Sequence, residues 1–324
     1  SFWKHYIDIL PTDYSFMPQL MTTNQKAFLQ GTHCDLEISF RNKSCHDDYD
    51  YICTMLPSFH YTFEEFMWAR MAVLTRVFGI TIKNQRTSAL VPIADMLNHE
   101  NPPATRWTFC EQKHAFVLVA LNPIPAGSEI YDSYGSKPNS DMLMNYGFVP
   151  QKNKTRECEI YPPDLHSFFR LREDLSQKDF HELICWVHQL HGNPPSKGVV
   201  LKQKPPLFQS KILQTLRLMF VTRISEFPRK LSEYILLLDS GLPYTAKSCV
   251  QVVVSELSLL HDFLDAIDTI SLAISPSSVL EQFPTVIIVT YFICLIAGWK
   301  HEIQKPKSKN SIVSSYWSTY LSHI

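Results

Sequence analysis

The chain has 324 residues, 45% of them hydrophobic, which is enough for about two domains with substantial cores. Its formal net charge of −1 gives no overall attraction to nucleic acid or to an anionic membrane. It contains only 9 glycines and no G-x-G arrangement, which excludes a P-loop and a dinucleotide-binding fingerprint.

In chain order, residues 12–60 show little regular period and predict helices joined by loops. Residues 61–77 predict a helix, because Thr62 and Glu65 form a capping-box pattern and apolar side chains recur at helical spacing. The apolar run at 89–93 predicts a buried strand.

The segments at residues 106–110 and 115–121 are rich in valine, phenylalanine and tryptophan. Residues 106–110 and 115–121 predict a hairpin, and residues 129–133 predict a further strand. Residues 139–145 predict a short helix, with Asn139 as a possible cap. Short strands and helices therefore alternate in this part of the chain.

The second half of the sequence changes in composition. Residues 165–190, 211–223 and 245–274 predict helices, and the proline-rich stretch at 192–206 predicts a loop. Residues 283–299 form an uncharged apolar run, which is shorter than the roughly 20 residues that a membrane-spanning helix needs. We expect this run to be a buried helix, the alternatives being a membrane segment or a segment foreign to the domain.

The eight cysteines stand apart, without a C-x-x-C pair. This pattern disfavours a zinc site and is typical of reduced thiols in an intracellular protein. We expect no bound metal and a cytoplasmic or nuclear location.

Ordered motifs between residues 90 and 150 are more specific than any of these features. They are Asp95-x-x-Asn98-His99, then Tyr131-x-x-Tyr134-Gly135, then Asn145-Tyr146-Gly147-Phe148, with FWKHYIDILP at 2–11 and FEEFMWAR…LTRVF at 63–78 upstream. This set resembles the SET domain of protein methyltransferases. The likeness is greater to the subfamily of the Rubisco large-subunit lysine methyltransferase and the actin histidine methyltransferase.

The resemblance implies an α+β fold. A SET domain of short β-sheets with a pseudo-knot and a helical insertion is expected over residues 1–150, and an all-α, substrate-binding-like domain over 151–324. The family normally places a G-x-G-bearing strand segment ahead of this region, and this sequence lacks it. Either the chain is a fragment or the segment was lost, and the departure favours a non-catalytic interaction module as one alternative.

The resemblance also implies methyl transfer from S-adenosylmethionine (AdoMet) to a lysine of a non-histone protein. Tyr134 matches the catalytic tyrosine, for which we expect an orienting and electrostatic role, because a phenol is a poor base at pH 7. Cofactor binding is implied for five residues: Arg76 at the cofactor carboxylate, the adenine-binding pair Asn98 and His99, and the aromatic residues Tyr134 and Phe148.

Substrate binding is implied for Asp95, Tyr146 and Phe78. Asp95 matches an acidic residue beside the target-amine channel, and Tyr146 an aromatic residue lining it. Phe78 is the discriminating position, because lysine-methylating relatives tend to carry an aromatic residue there and the actin-histidine relative a polar one. Phe78 therefore favours lysine, with histidine methylation as the alternative. The expected partner is a protein substrate, without nucleic acid, and membrane binding is not expected.

Overall fold

The computed structural model describes residues 2–58, 60–162, 167–172, 177–191 and 206–273. Internal contacts divide the chain into two units, the first formed by Ser1–Lys154 and Leu238–Val252 and the second by Thr155–Leu237 and the residues from Val253 onward. The division predicted at residue 150 stays a prediction, and residues 238–252 group with the first unit. The apolar run at 283–299 and the loop at 192–205 lie outside the described residues.

The first unit begins with helical segments, as predicted for residues 12–60. Helices α1 (Lys4–Asp8) and α2 (Thr23–Lys26) lead through a 3-10 turn to the long α3 (His33–Met55). Thr22 begins α2 in a capping box with Gln25, which satisfies backbone N–H groups that the first turn leaves unpaired.

Helix α4 (Phe63–Arg76) confirms the helix predicted at 61–77. The Glu65 backbone N–H donates to the Thr62 hydroxyl at 3.2 Å, and the Thr62 N–H donates to the Glu65 carboxylate at 2.8 Å. The helix ends at Arg76 because Val77 is already extended. Its buried face packs with α3 and the N-terminal segment in a core of Leu10, Tyr14, Met17, Cys45, Met67, Met71 and Ala72.

A hairpin that the sequence patterns did not predict follows α4. Strand β1 (Phe78–Ile82) pairs antiparallel with β2 (Gln85–Ala89). The connecting residues Lys83 and Asn84 both have positive φ, 48° and 62°, the conformation of a tight two-residue hairpin turn. The strand predicted at 89–93 is wrong, because pairing ends at Ala89 and the following residues turn into a 3-10 helix at Ala94–Met96.

Four more strands complete the sheets of this unit. They are β3 (Asn98–His99), β4 (Thr105–Cys110), β5 (Ala115–Ala120) and β6 (Tyr131–Asp132). Strands β4 and β5 form the predicted hairpin, and β6 lies within the predicted strand at 129–133. Strand β6 pairs in parallel with β3, so two segments that are distant in sequence lie side by side.

Helix α5 (Asn139–Tyr146) confirms the short helix predicted at 139–145, although Pro138, not Asn139, occupies the cap position. Met142, Leu143 and Met144 are almost fully buried. The surrounding core joins segments from three parts of the chain: Met21, Leu29, Cys34, Ile38, Leu143, Met144, Val149, Cys249 and Val252.

The second unit is mainly helical, as predicted, but the expectation of an all-α domain needs correction. It opens with strands β7 (Glu157–Ile160) and β8 (Phe169–Arg172), which pair antiparallel. Cross-strand neighbours carry opposite charges, with Arg172 2.5 Å from Glu157 and Arg170 2.9 Å from Glu159. This pairing stabilises a sheet where the apolar pattern predicted the start of a helix at 165–190.

The described helices of the second half are α6 (Gln177–Leu190), α7 (Pro206–Ser225), α8 (Leu231–Leu238) and α9 (Tyr244–Ala273). They confirm the predicted helices at 211–223 and 245–274 and the later part of the one at 165–190. None of the described helices is long and apolar enough to cross a bilayer.

Candidate active site

The parallel pairing of β3 with β6 creates the site. Asn98 lies opposite Tyr131 and His99 opposite Asp132, and the Glu100 N–H donates to the Asp132 carbonyl at 2.8 Å. The short strands therefore bring the Asn98-His99 motif beside the chain that leads into Tyr134.

His99 is the link between the two segments. Its Nδ1 accepts a hydrogen bond of 3.0 Å from the Tyr134 backbone N–H, so the neutral ring carries its proton on Nε2. Burial lowers the pKa of His99, which favours the neutral ring at pH 7. His99 thus holds the backbone of Tyr134 in place without adding charge.

Tyr134 lies at the centre of the site. Its hydroxyl donates to the Leu97 carbonyl at 2.8 Å. Burial, followed by the nearby Tyr146, raises the pKa of Tyr134 to about 12, although Arg76 opposes the shift. The phenol therefore stays protonated at neutral pH, and its oxygen keeps lone pairs for a further contact.

Three rings lie close to the Tyr134 ring, and we name the group of four the aromatic cluster: His99, Tyr134, Tyr146 and Phe148. The Tyr134 ring lies 4.7 Å from Tyr146, 5.2 Å from His99 and 6.2 Å from Phe148, centroid to centroid. Such faces suit a cation, an aliphatic stem or a flat heteroaromatic group.

Gly147 determines how Tyr146 and Phe148 enter the aromatic cluster. It ends α5 in the left-handed conformation, with φ 77°. A Cβ at this position would lie 2.3 Å from the Phe16 ring, so a side chain has no room. The chain can reverse here only because the residue is glycine.

The partly exposed Arg76 and the buried Asp95 form a pair next to the aromatic cluster. Arg76 Nη1 lies 3.8 Å from Asp95 Oδ2 and donates to the Asp95 backbone carbonyl at 3.0 Å. The Asp95 side chain is fully buried. Arg76 Nε and Asp95 Oδ1 are buried without a hydrogen-bond partner among the described residues, so one donor and one acceptor remain for another polar group.

Asn98 occupies a more exposed position than the resemblance suggested. Its side-chain amide donates to Glu129 Oε1 at 2.6 Å, and Tyr131 donates to the other oxygen of Glu129 at 2.8 Å. These two hydrogen bonds lower the pKa of Glu129, so its carboxylate is ionised at neutral pH. They hold the Asn98 side chain at the edge of the site.

Phe78 lies in a different group of rings. It contacts Trp107 at 5.2 Å and Phe116 at 5.1 Å, both edge to face. Among the described residues, it makes no ring contact with the aromatic cluster. The structure thus joins His99, Tyr134, Tyr146 and Phe148 directly, places Arg76 with Asp95, and puts Phe78 against the β4–β5 hairpin.

Sequence reasoning assigned no role to Tyr6 or Glu129. The Tyr6 hydroxyl donates to Asp95 Oδ2. Tyr6 was part of the motif at residues 2–11, but nothing in that motif indicated a partner 89 positions away. Among the described residues, no group of histidine, cysteine and acidic side chains could hold a metal ion.

Comparison with known proteins shows which family this part of the chain resembles. The family profile described as "SET domain" matches residues 5–135. Actin-histidine N-methyltransferase of Xenopus tropicalis is 26% identical over 230 residues, which are 67% of this chain and 37% of the relative. The human protein of the same name is 26% identical over 235 residues, again 37% of its length. The chain thus spans little more than a third of these curated relatives.

Solved structures share the fold. The SET domain of LSMT bound to lysine and AdoHcy has a TM-score of 0.67 at 16% identity, covering 84% of this chain and 72% of the other. Rubisco LSMT bound to AdoMet has a TM-score of 0.59 at 13% identity, covering 97% and 78%. Residues 5–135 therefore form a SET domain, in a chain that resembles the SET-domain protein methyltransferases.

Proposed function

We propose that this chain is an AdoMet-dependent methyltransferase that modifies a side-chain nitrogen of another protein. The Tyr134 hydroxyl carries the proposal, because it is tied to the Leu97 carbonyl inside the aromatic cluster of a SET domain. The names of the curated relatives and the ligands bound in the similar structures support the same chemistry.

The residues present fit the methyl donor. The partly exposed Arg76 has an unpaired Nε that suits a carboxylate such as that of the methionine part of AdoMet. The rings of Tyr134 and Phe148 suit a sulfonium cation. For His99 and Asn98, the resemblance implies contacts with the adenine. We therefore assign cofactor binding to Arg76, Asn98, His99, Tyr134 and Phe148.

Tyr134 acts by orientation and electrostatics. When bound, AdoMet supplies an electrophilic methyl group on a positively charged sulfur. The acceptor nitrogen would form the new N–C bond as the C–S bond breaks, and sulfur would keep the electron pair. The surplus proton would then leave to water, from the methylated nitrogen of a lysine or from the opposite ring nitrogen of a histidine. The protonated phenol cannot take that proton, so it aligns the reacting groups while the cluster excludes water.

We favour histidine over lysine as the acceptor. The curated relatives named above are histidine enzymes, although the similar solved structures are named for a lysine enzyme. A neutral imidazole already has a free lone pair at pH 7, whereas neutralising a lysine costs roughly 4.6 kcal/mol. A buried carboxylate such as Asp95 would favour the ammonium form of lysine, but it can accept the N–H of an imidazole and orient the ring.

Lysine is the second candidate, because Phe78 is aromatic as in the lysine-methylating relatives. The ring contacts of Phe78 with Trp107 and Phe116 give it a packing role as well. A Phe78→Asn variant separates these roles. If this position governs the choice of acceptor, the variant will shift methylation toward histidine, whereas unchanged selectivity with lower stability will indicate packing alone.

In the deciding experiment, the wild-type chain and Tyr134→Phe are each incubated with tritiated AdoMet and purified actin. A parallel experiment uses Rubisco large subunit in place of actin. Mass spectrometry then assigns the methyl group to histidine or lysine. We expect label on a histidine of actin and a strong loss with Tyr134→Phe. Label only on lysine would overturn the acceptor assignment. Equal label with the wild-type chain and with Tyr134→Phe would overturn the role of Tyr134.

A non-catalytic interaction module is the remaining alternative. Calorimetry with AdoMet distinguishes the two, because a module without the cofactor site will give no binding heat.

By analogy, we assign protein-substrate recognition to residues 151–324. Free thiols at all described cysteines support a cytoplasmic or nuclear location.

A further inference from the structure

We propose that Tyr6 is a positioning residue for methyl transfer: its hydroxyl holds one oxygen of Asp95 so that the other can accept an N–H from the acceptor side chain. This inference rests on the proposed function and adds a residue to it. Tyr6 belongs to α1, which is more than 80 residues from Asp95 in sequence, so only the fold makes the contact.

Both side-chain contacts of the Asp95 carboxylate involve the same oxygen. Tyr6 donates to Oδ2, and Arg76 Nη1 lies 3.8 Å from the same oxygen. A second contact of Arg76, to the Asp95 backbone carbonyl at 3.0 Å, fixes the main chain. Oδ1 is buried and has no partner among the described residues, so it is the acceptor that remains for a ligand.

The carboxylate lies close enough to the reaction to matter. Asp95 is two residues before Leu97, whose carbonyl accepts the Tyr134 hydroxyl. Asp95 and Arg76 both shift the pKa of Tyr134, in opposite directions, so both charges act on that hydroxyl. An acceptor nitrogen next to Tyr134 is therefore within the electrostatic range of Asp95.

Tyr6 is suited to holding the carboxylate permanently. Burial, the hydrogen bond to Asp95 and the charge of Asp95 raise its pKa well above the ordinary value, so the hydroxyl remains a donor at any working pH. Without this donor the carboxylate can rotate about its terminal torsion, which has a broad energy profile. Oδ1 would then lose the fixed direction that an aligned transfer needs.

Tyr14 provides a matched control. Its side chain is buried, with 3% exposure, and packs in the same core as Tyr6. Its hydroxyl has no hydrogen-bond partner among the described residues. Tyr14→Phe therefore removes the same atom from the same region as Tyr6→Phe, but breaks no contact to Asp95.

The test measures methyl transfer from tritiated AdoMet to purified actin by wild type, Tyr6→Phe, Tyr14→Phe, Asp95→Asn and the Tyr6→Phe/Asp95→Asn double variant. We expect Tyr6→Phe to lower kcat about tenfold to a hundredfold, as for loss of a hydrogen bond to a charged group, with KM for AdoMet within about threefold. Tyr14→Phe should stay within about twofold of wild type. In the Asp95→Asn background, Tyr6→Phe should cause no further loss, because the amide no longer has a second acceptor oxygen for Tyr6 to position.

A Tyr6→Phe variant as active as Tyr14→Phe, or losses from Tyr6→Phe and Asp95→Asn that multiply, would overturn the role of Tyr6 while leaving the enzyme assignment intact. A fall in AdoMet affinity at unchanged kcat would also overturn it, since Tyr6 would then serve the cofactor. A wild-type chain that binds no AdoMet and labels no protein would instead overturn the proposed function, and the role of Tyr6 with it.

Discussion

Tyr134 takes part in two hydrogen bonds, each made by a different part of the residue. Its backbone N–H is held by His99 and its side chain by the Leu97 carbonyl, so both the position and the direction of the phenol are set by β3 and the turn before it. At the scale of the residue, sequence motifs predicted that Tyr134 and His99 belong to the site. They did not predict the hydrogen bonds that these residues make.

We predict that Tyr134→Phe lowers kcat for methyl transfer by about a hundredfold or more, a loss of roughly 2.7 kcal/mol of transition-state stabilisation. The ring stays, so the aromatic cluster keeps its packing and the melting temperature should change little. Steady-state kinetics and a thermal melt measure the two effects. A fully active variant, or one that is inactive only because it is unfolded, would contradict the assignment.

The buried His99 makes stability depend on pH. Its pKa in the folded chain lies below the unfolded value of about 6.5, so the unfolded chain takes up its proton first as the pH falls. The contribution of His99 to stability is therefore present above about pH 6.5 and is lost as the pH falls through 6.5 toward the folded pKa.

His99→Asn tests this sign, because an asparagine oxygen can still accept from the Tyr134 N–H and does not titrate. Urea unfolding between pH 7.5 and pH 5 should show wild type losing more stability than His99→Asn. Parallel curves for the two proteins would mean that other groups cause the pH dependence.

The capping box of α4 shows what local sequence decides at the scale of an element. Thr62 and Glu65 satisfy each other's backbone N–H groups, and α4 forms where they predicted it. The β4–β5 hairpin was predicted for a similar reason, since its alternation and turn are local. In contrast, the strand predicted at 89–93 fails because an apolar run does not say whether a partner strand is available.

We predict that Thr62→Ala lowers the free energy of unfolding by about 1 kcal/mol, the usual loss for an N-cap side chain. Thr54→Ala is the control, because Thr54 is an exposed residue inside α3 whose hydroxyl only contacts the Asp50 carbonyl. That change should be neutral or slightly stabilising, since alanine favours a helix. Equal effects of the two substitutions in urea unfolding would exclude a specific capping role.

At the scale of the whole molecule, residues 238–252 return to the first unit after the chain has left it. Thr245 accepts a hydrogen bond of 2.7 Å from Gln25, and Gln251 accepts one of 3.3 Å from Asn139. The side chains of Ala246, Cys249, Val250 and Val252 from this segment are buried. The first unit is therefore not continuous in sequence.

We predict that a fragment of residues 1–154 does not fold cooperatively, whereas a chain of residues 1–273 does. Each large buried apolar side chain contributes about 1.5–3 kcal/mol, so losing the returning segment removes an amount comparable with a whole domain's stability of roughly 5–15 kcal/mol. Circular dichroism melts of both proteins test this. A sharp transition in the 1–154 fragment would show that the returning segment is dispensable.

The sequence by itself determined the family resemblance, the helix at α4, the β4–β5 hairpin and the residue types of the candidate site, because each depends on local spacing or on a contiguous motif. Only the tertiary structure decided that β3 pairs with β6, that Tyr6 meets Asp95, that Phe78 packs away from the aromatic cluster, and that residues 238–252 complete the first core. These contacts join residues far apart in the chain. Whether two distant segments meet depends on the packing of everything between them, and no local pattern records that.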